Sequence, residues 1–291
     1  MQKTFSPSSL NCFENCPRQY YYRYIEKVPV ESEGIEAFVG KRVHEVLERL
    51  YHFVDQGMVP PLPRVLYRYQ MFWEEHFDAD RIRIVRRDMD VEAYRASGVR
   101  CIENYYRRHY PFDQDETLGL ERTIRFKLDP DGHYPIRGII DRLVRARDGT
   151  LEIHDFKTGR RVPRQEELDR DRQLGLYELA IRREFDEPEI RLVWHYVLRN
   201  QTRVSVRSDE QRETLREKTA LAIDAVRAEQ EWRATTSGLC DWCEYRGRCP
   251  AFQEEALPQE PREAPEAAVP ATATEPTEPQ LALFASAGDE T

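Results

Sequence analysis

Apolar residues follow two different spacings along this chain, and the spacing changes from block to block. Between residues 36 and 54, Val39, Val43, Leu47 and Leu50 lie three or four positions apart, which predicts an amphipathic helix. Runs rich in β-branched and aromatic residues predict strands at about 118–128, 136–146, 151–157, 191–198 and 202–207. Further helices are predicted at 6–25, 64–77, 80–108, 165–184 and 209–232. Strands and helices mixed in this order predict an α/β core with helices on both faces of the sheet.

The short segment between the second and third predicted strands decides how these strands pair. It contains Asp148 and Gly149, which predict the turn of a β-hairpin. A two-residue turn made by these residues would send Asp141 and Asp155 to opposite faces of the sheet. A three-residue loop that ends on Gly149 in the left-handed conformation instead places Asp141 directly opposite Asp155. We predict the second register.

In this register one face of the hairpin carries three charged groups. Asp141, Asp155 and Lys157 point to the same side, and Phe156 points into a core on the other. Directly opposed carboxylates lie about 4.5–5.5 Å apart at Cβ, so they repel each other unless a divalent cation lies between them. A lone Asp-x-Lys is usually a solvated surface pair. The apolar residues around this one predict a buried strand, where charges need partners or a metal: Ile139, Ile140, Leu143, Val144, Leu151 and Ile153.

Five segments resemble, in order, the motifs of the PD-(D/E)xK nucleases, and in particular the RecB-type branch that includes the AddB nuclease domain and the CRISPR-adaptation nuclease. The segments are Cys16-Pro17-Arg18 (with the C-terminal cysteines), Gly40-Lys41-Arg42-Val43-His44, Gly138-Ile139-Ile140-Asp141-Arg142, Asp155-Phe156-Lys157-Thr158-Gly159 and Gln173-Leu174-Gly175-Leu176-Tyr177. The resemblance covers residues 8–250. It implies a restriction-endonuclease-like core, a mixed β-sheet flanked by helices, with a helical N-terminal section and a C-terminal cysteine loop tied to the N-terminus.

The resemblance also implies a role for each motif. It implies a divalent cation, Mg²⁺ or Mn²⁺, held by one helical histidine, two strand aspartates and one main-chain carbonyl: His44, Asp141, Asp155 and Phe156. Lys157 would position the attacking water or stabilise developing charge. Gln173 and Tyr177 share one helix face and would orient Lys157 or the DNA backbone. Glu45 and Glu121 are further acids near this set, and the sequence gives them no definite role.

Cysteine spacing predicts a second metal site. Cys240, Cys243 and Cys249 supply three thiolates in a short loop, one fewer than a closed site needs. The resemblance implies Cys16 as the fourth ligand and a four-iron, four-sulfur cluster, with Cys12 as the competing donor. Spacing alone also fits tetrahedral Zn²⁺.

The net charge of −9 comes almost entirely from the C-terminal segment. Residues 251–291 hold nine acids against Arg262 alone, a net of −8, so residues 1–250 carry −9 minus −8, or −1. We predict a nuclease domain at 1–256 and a disordered, acidic, Pro/Ala-rich tail at 257–291. The charge of the body therefore does not exclude DNA, whose phosphates require cationic contacts.

The tail contains a short apolar motif. Gln280-Leu281-Ala282-Leu283-Phe284 resembles the pentapeptide that binds the bacterial sliding clamp. Leu281, Leu283 and Phe284 would be apolar anchors in a preformed pocket, and the surrounding tail would become ordered on binding. The simpler interpretation is an adhesive patch without a partner.

Arginines are concentrated in the predicted helix at 80–108. They form a candidate DNA-facing surface, although a solvated face paired with neighbouring acids fits the pattern equally well. The arginines are Arg81, Arg83, Arg86, Arg87, Arg95, Arg100, Arg107 and Arg108.

Targeting and motor signals narrow the setting. No apolar run approaches the roughly 20 residues of a membrane span, and the first residues lack the apolar region of a signal peptide, so we expect a cytoplasmic protein with no membrane partner. The chain has no G-x-x-x-x-G-K-[ST] loop, so ATP-driven unwinding would require a separate helicase partner.

Together these features predict a DNA nuclease without a motor of its own that attacks single strands or ends as an exonuclease in repair or recombination. Two alternatives stay open. One is a non-catalytic iron-sulfur DNA-binding or scaffold subunit, which would have no chemical need for the charged hairpin. The other is a nuclease of CRISPR adaptation.

Overall fold

The computed structural model describes residues 4–187 and 189–253. Its helices are α1 Pro7–Asn15, α2 Pro17–Tyr20, α3 Ile35–Val54, α4 Leu62–His76, α5 Val91–His109, α6 Gln165–Leu168, α7 Arg172–Phe185, α8 Asp209–Ala228 and α9 Pro250–Gln253. A π-helical segment follows α2 at Tyr21–Glu26, and short 3₁₀ turns lie at Val197–Arg199, Gly238–Trp242 and Arg246–Arg248. Among the described residues, no helix has the length and apolar character needed to cross a membrane.

Five strands form one mixed sheet. The strands are β3 Asp115–Lys127, β4 Pro135–Ala146, β5 Leu151–Lys157, β6 Ile190–Tyr196 and β7 Gln201–Ser205, and they lie in sequence order. β5 and β6 run parallel, and the other neighbours are antiparallel. A parallel pair needs a crossover connection, which α6 and α7 supply here. Two short strands, β1 Glu33–Gly34 and β2 Ile82–Arg83, pair separately.

Helices cover both faces of the five-stranded sheet. Phe156 of β5 packs with Val43 and Leu47 of α3 in one core, to which α4 and α5 also contribute. Ile153, which points to the opposite face, packs with Leu174 of α7 in a second core. A third cluster joins α1 and α8 to the start of β4. The predicted fold class, a mixed α/β core flanked by helices, is confirmed.

The predicted register of the central hairpin is also confirmed. Gly149 has φ +88°, a left-handed conformation that a residue without Cβ adopts readily. The main-chain N–H of Ala146 donates to the carbonyl of Thr150 at 2.9 Å, which closes a three-residue loop. The ladder then continues without a shift up to the residues adjoining the two aspartates. Asp141 therefore lies opposite Asp155, as the charged face of the hairpin requires.

Two predicted helices are wrong in part. Residues 80–90 contain strand β2 and irregular chain, and α5 begins only after Asp90, whose carboxylate accepts a hydrogen bond from a first-turn N–H at 2.8 Å. The helix predicted at 165–184 is divided into α6 and α7. Asp171 starts the second one in the same way, at 2.8 Å. Both aspartates act as N-caps, and a cap marks a helix start.

Several of the arginines predicted as a DNA-facing surface are engaged within the protein. Arg86 pairs with Asp88 at 2.6 Å, and Arg95 lies 3.7 Å from Glu74. Arg83 donates to main-chain oxygens of the cysteine loop at 2.6 and 2.9 Å. These contacts support the alternative interpretation, a polar face paired within the molecule.

Side chains tie the first helices to the C-terminal cysteine loop. Glu244 accepts hydrogen bonds from Gln19 Nε2 and Arg23 Nε, each at 2.9 Å. The Tyr22 hydroxyl donates to the carbonyl of Arg248 at 3.2 Å. The predicted connection between the helical N-terminal section and the cysteine loop is therefore present.

Candidate active site

Asp155 and Lys157 form an ion pair at the end of β5. Lys157 Nζ lies 2.8 Å from Asp155 Oδ2 and donates to Oδ1 at 3.0 Å. Gln173 of α7 joins the two residues, because its Oε1 accepts from Lys157 at 3.1 Å and its Nε2 donates to Asp155 Oδ1 at 2.9 Å. The carboxylate of Asp155 is 4% exposed, so this group is held in a largely water-free position.

Tyr177 lies one turn beyond Gln173 on α7 and is buried. Its ring packs against Gly138 so closely that a Cβ there would lie 2.2 Å from ring atom Cε1. Burial raises the pKa of Tyr177 to about 12, so its hydroxyl stays protonated. The structure thus places Tyr177 beside Gln173, where it seats α7 on β4.

His44 reaches the hairpin from α3. Its Nε2 lies 2.8 Å from the Phe156 carbonyl oxygen, and its Nδ1 lies 3.5 Å from Asp141 Oδ2. A carbonyl can only accept, so without a metal this contact is a hydrogen bond donated by a protonated Nε2, and a bound cation would take the place of that proton. Asp141 Oδ2 also accepts from the main-chain N–H of Phe156 at 2.8 Å. The histidine, the first aspartate and the carbonyl that the sequence singled out therefore meet at one place.

Glu121 belongs to the same cluster, although the sequence gave it no definite role. The strand pairs on either side of it set Glu121 opposite Asp141, across β3 and β4. Its φ is +42°, in the left-handed region that side-chain-bearing residues rarely adopt. The potential ligand atoms of His44, Glu121 and Asp141 all lie within 4.8 Å of one another.

Burial and mutual repulsion perturb the ionisable groups of this cluster. The pKa of Asp141 is raised well above its ordinary value by burial and then by the charge of Asp155. Burial, followed by the charge of Asp141, raises the pKa of Glu121 to about 7. Burial acts to lower the pKa of Lys157, but the charge and hydrogen bond of Asp155 outweigh it, so this pKa is raised and the amine stays charged.

The donor atoms around His44 fit a divalent cation. Adjacent ligands of an octahedral Mg²⁺ lie about 3 Å apart, because each metal–oxygen distance is about 2.1 Å. His44 Nε2 and the Phe156 oxygen, 2.8 Å apart, have the spacing of such neighbours. Carboxylate, carbonyl and imidazole donors suit Mg²⁺ and Mn²⁺. Asp155, predicted as a ligand of the same ion, contacts the Lys157 ammonium and the Gln173 amide and adjoins the cluster of His44, Glu121 and Asp141.

The four cysteines predicted as cluster ligands line one pocket: Cys16, Cys240, Cys243 and Cys249. Main-chain N–H groups face two of the sulfurs, that of Thr235 at 3.5 Å from Cys16 Sγ and that of Ser237 at 3.3 Å from Cys240 Sγ. The competing donor, Cys12, is absent from the lining of this pocket, and burial raises the pKa of its thiol to about 11. The structure places Cys16 with the other three.

The spacing of these sulfurs bears on the metal they would hold. Thiolates around Zn²⁺ lie about 3.8 Å apart, because the coordination is tetrahedral and the zinc–sulfur distance is about 2.3 Å. In the described part of the chain, the groups of three or more potential ligands within 4.8 Å of one another contain no cysteine. No three of these sulfurs therefore lie as close together as in a closed zinc site, and a bound metal or cluster would set their final spacing.

The clamp-binding prediction concerns Gln280, Leu281, Leu283 and Phe284. These residues, and the predicted tail from 257 onward, lie outside the described residues.

The chain is similar to solved structures and to a known sequence family. The crystal structure of SSO0001 has 13% sequence identity and a TM-score of 0.39, and the match covers 87% of this chain and 88% of that chain. A protein from Eubacterium rectale named "Putative exonuclease" has 13% identity and a TM-score of 0.49, with 84% of this chain and 88% of that chain covered. No curated protein gave a significant match. The family model of the PD-(D/E)XK nuclease superfamily matches residues 4–250, a span that contains the opposed aspartates and their lysine. The chain belongs to the PD-(D/E)XK nuclease superfamily.

Proposed function

We propose that this chain is a metal-dependent deoxyribonuclease of the RecB-type branch that uses Mg²⁺ or Mn²⁺. The observation that carries the proposal is that a set of metal donors and an ion pair lie side by side at β4 and β5; we call this place the junction. His44, Asp141 and the Phe156 carbonyl supply metal donors, and Asp155 holds the charged amine of Lys157 beside them. Phosphodiester hydrolysis needs both kinds of group, because negative charge develops on the phosphate during the reaction.

The residues of this junction have separate tasks. A divalent cation, when bound, polarises a phosphoryl oxygen and lowers the pKa of a water molecule. His44, Asp141, Asp155 and the Phe156 carbonyl are the groups we propose to hold it. Lys157 keeps a positive charge at the rim of the site, where it stabilises charge on the phosphate. Gln173 and Tyr177 act as positioning residues, since they fix Lys157 through α7.

A cavity next to the junction supports DNA as the substrate. It has a volume of about 510 Å³, and Arg125, Arg137 and Gln173 are among the residues that line it. The two arginines lie directly opposite each other on β3 and β4, and in the described structure neither pairs with an acid. Like charges in that position are destabilising on their own, and a phosphate group would relieve the repulsion. Ile139, predicted as buried, is 49% exposed and lines the same cavity, where it offers apolar surface to a sugar or base.

Cleavage of end-labelled DNA tests the proposed activity. We expect metal-dependent cleavage that is faster on single strands or free ends. Asp155→Asn and Lys157→Ala should each reduce it by about a hundredfold or more. Lys127→Ala, which alters an exposed lysine, should leave it unchanged. Wild-type protein that binds DNA but cuts neither substrate with either metal would instead support the rival function, a non-catalytic DNA-binding or scaffold subunit.

The cavity has its own test. Replacing Arg125 and Arg137 by alanine should weaken single-strand binding and lower the slope of log K against log salt by about 1.4, since each phosphate contact contributes about 0.7 for single strands. Arg107→Ala, at an exposed position outside the lining of this cavity, is the matched control. An unchanged salt slope in the double variant would remove this cavity from the DNA path.

We also propose that the cysteine pocket holds a four-iron, four-sulfur cluster with a structural role. The resemblance of the cysteine motif to the RecB-type branch supports this choice over zinc, and the four cysteines line one pocket. Anaerobically purified protein should be brown with broad absorption near about 400 nm. Colourless protein with stoichiometric zinc would reverse the choice.

The remaining parts of the proposal rest on sequence. We propose two parts, a nuclease domain at 1–256 and a tail at 257–291 that binds the sliding clamp through Gln280–Phe284, with repair or recombination as the setting and a separate helicase as a potential partner. A tail peptide should bind purified clamp, and Leu283→Ala should abolish that binding. Equal behaviour of the two peptides would exclude the motif.

A further inference from the structure

We propose that Glu121 is a ligand of the divalent cation held by His44 and Asp141. The inference deepens the proposed function and rests on it for the reaction the metal serves. It assigns a carboxylate from a third strand, β3, to a site otherwise drawn from α3, β4 and β5. The metal-binding part of the claim can be tested without cleavage.

The sheet brings three carboxylates into one row. Asp141 is opposite Asp155 on one side, and on the other side the pairs that flank Glu121 set it opposite Asp141. Asp155 has a cationic partner, since Lys157 contacts both of its oxygens. In the described structure, no lysine or arginine forms an ion pair with Glu121. The negative charge at the Asp155 end of the row is therefore balanced by a cation, and the negative charge at the Glu121 end is not.

The Glu121 end of the row brings together the kinds of side chain that bind a divalent cation. His44 turns Nδ1 toward Asp141 Oδ2 at 3.5 Å, and a ligand atom of Glu121 lies within 4.8 Å of both residues. Two carboxylates held this close in a partly buried position repel each other. A divalent ion between them would remove the repulsion and would also accept the imidazole.

The backbone at Glu121 is unusual in a way that fits this placement. Glu121 has a φ of +42° in the middle of β3, although the pairs on either side of it are in register. Such a conformation is strained for a residue with a Cβ and persists when the surroundings hold it. Glycine adopts it without strain, so Glu121→Gly removes the carboxylate with little risk to the fold.

Mn²⁺ binding to full-length protein without DNA tests the assignment, by calorimetry and by the electron paramagnetic resonance signal of the free ion. Glu121→Gln and Glu121→Gly should each weaken Mn²⁺ binding at least tenfold. Glu116→Gln, at an exposed acid on the same strand, should bind like the wild type. Wild-type affinity in both Glu121 variants would overturn the proposal.

The two proposals fail in different ways. If Glu121→Gln loses Mn²⁺ affinity and the wild-type protein still cuts no DNA, the ligand assignment stands and the nuclease proposal falls. If the wild-type protein cuts DNA and both Glu121 variants bind Mn²⁺ normally, the reverse holds.

Discussion

At the scale of single residues, the raised pKa values of Asp141 and Glu121 link stability to pH. Unfolded carboxyl groups titrate at about pH 4. Burial raises both folded pKa values, that of Glu121 to about 7, so the metal-free folded protein binds more protons than the unfolded chain above pH 4. The stabilising contribution is complete below the unfolded pKa and is lost as the pH rises through the folded pKa.

We therefore expect metal-free wild-type protein to lose stability relative to Asp141→Asn as the pH rises from about 5 to 8, by about 1.4 kcal/mol per pH unit at most. The comparison with a variant is needed because His109, whose pKa burial lowers to about 4, gives the opposite slope at lower pH. Urea unfolding in chelator at several pH values measures the difference. Saturating Mn²⁺ should abolish this loss of stability with pH. A difference in unfolding free energy that is the same at every pH would contradict the assigned pKa directions.

The sequence predicts the parts of this site that depend on a short turn and not those that depend on strands joined by a longer loop. The Asp141–Asp155 pair follows from one turn, because the length of the loop at Gly149 fixes the register of everything beyond it. Glu121 depends on the pairing of β3 with β4, and that pairing is irregular near Gly119 and is joined by a longer loop. No turn rule fixes such a register, so the third carboxylate was out of reach.

At the scale of elements, α7 is seated on β4 by one glycine. A Cβ at position 138 would lie 2.2 Å from the ring of Tyr177, so Gly138→Ala should push α7 outward and carry Gln173 away from Lys157. We expect a loss of about 1–3 kcal/mol in the free energy of unfolding, typical of overpacking. We also expect a fall in cleavage rate that persists at temperatures where the variant is fully folded. Urea unfolding and DNA cleavage measure the two effects.

Two controls keep this prediction specific. Gly247→Ala places a methyl group where nothing lies within 4 Å and should change neither quantity. Adding Tyr177→Ala to Gly138→Ala should recover part of the stability, because the clash is then absent. Full activity in Gly138→Ala alone would show that α7 does not position Lys157.

Element boundaries show why pattern alone misassigned two helices. The segments at 80–108 and 165–184 each have enough apolar and charged residues at helical spacing to predict one continuous helix. Asp90 and Asp171 interrupt them by capping new first turns. Capping residues were visible in the sequence, but aspartate is equally common on solvated helix faces, so only the fold decides which aspartate ends a pattern.

At the scale of the whole molecule, the two ends of the described chain meet beside the five-stranded sheet. Contacts from Gln19 and Arg23 to Glu244 hold the cysteine loop on the first helices, and α1 packs in turn against α7 and α8. Exposed ion pairs of this kind contribute little individually. A cluster bound by both ends would stabilise the closed arrangement far more, because it restricts the unfolded chain.

Cys16→Ser should therefore act globally, and Cys12→Ala should not. Residues 16 and 240 are 224 positions apart, and a link across so long a loop is worth about 5 kcal/mol by loop-closure estimates. Cys12 is a buried thiol whose pKa is raised to about 11, so it has little tendency to supply a thiolate. We expect Cys16→Ser to lose the absorption near about 400 nm and to unfold at markedly lower temperature, with both properties retained in Cys12→Ala. If Cys16→Ser protein is brown and Cys12→Ala protein is colourless, Cys12 is the fourth ligand. The link between the N-terminal helices and the cysteine loop would then run through Cys12.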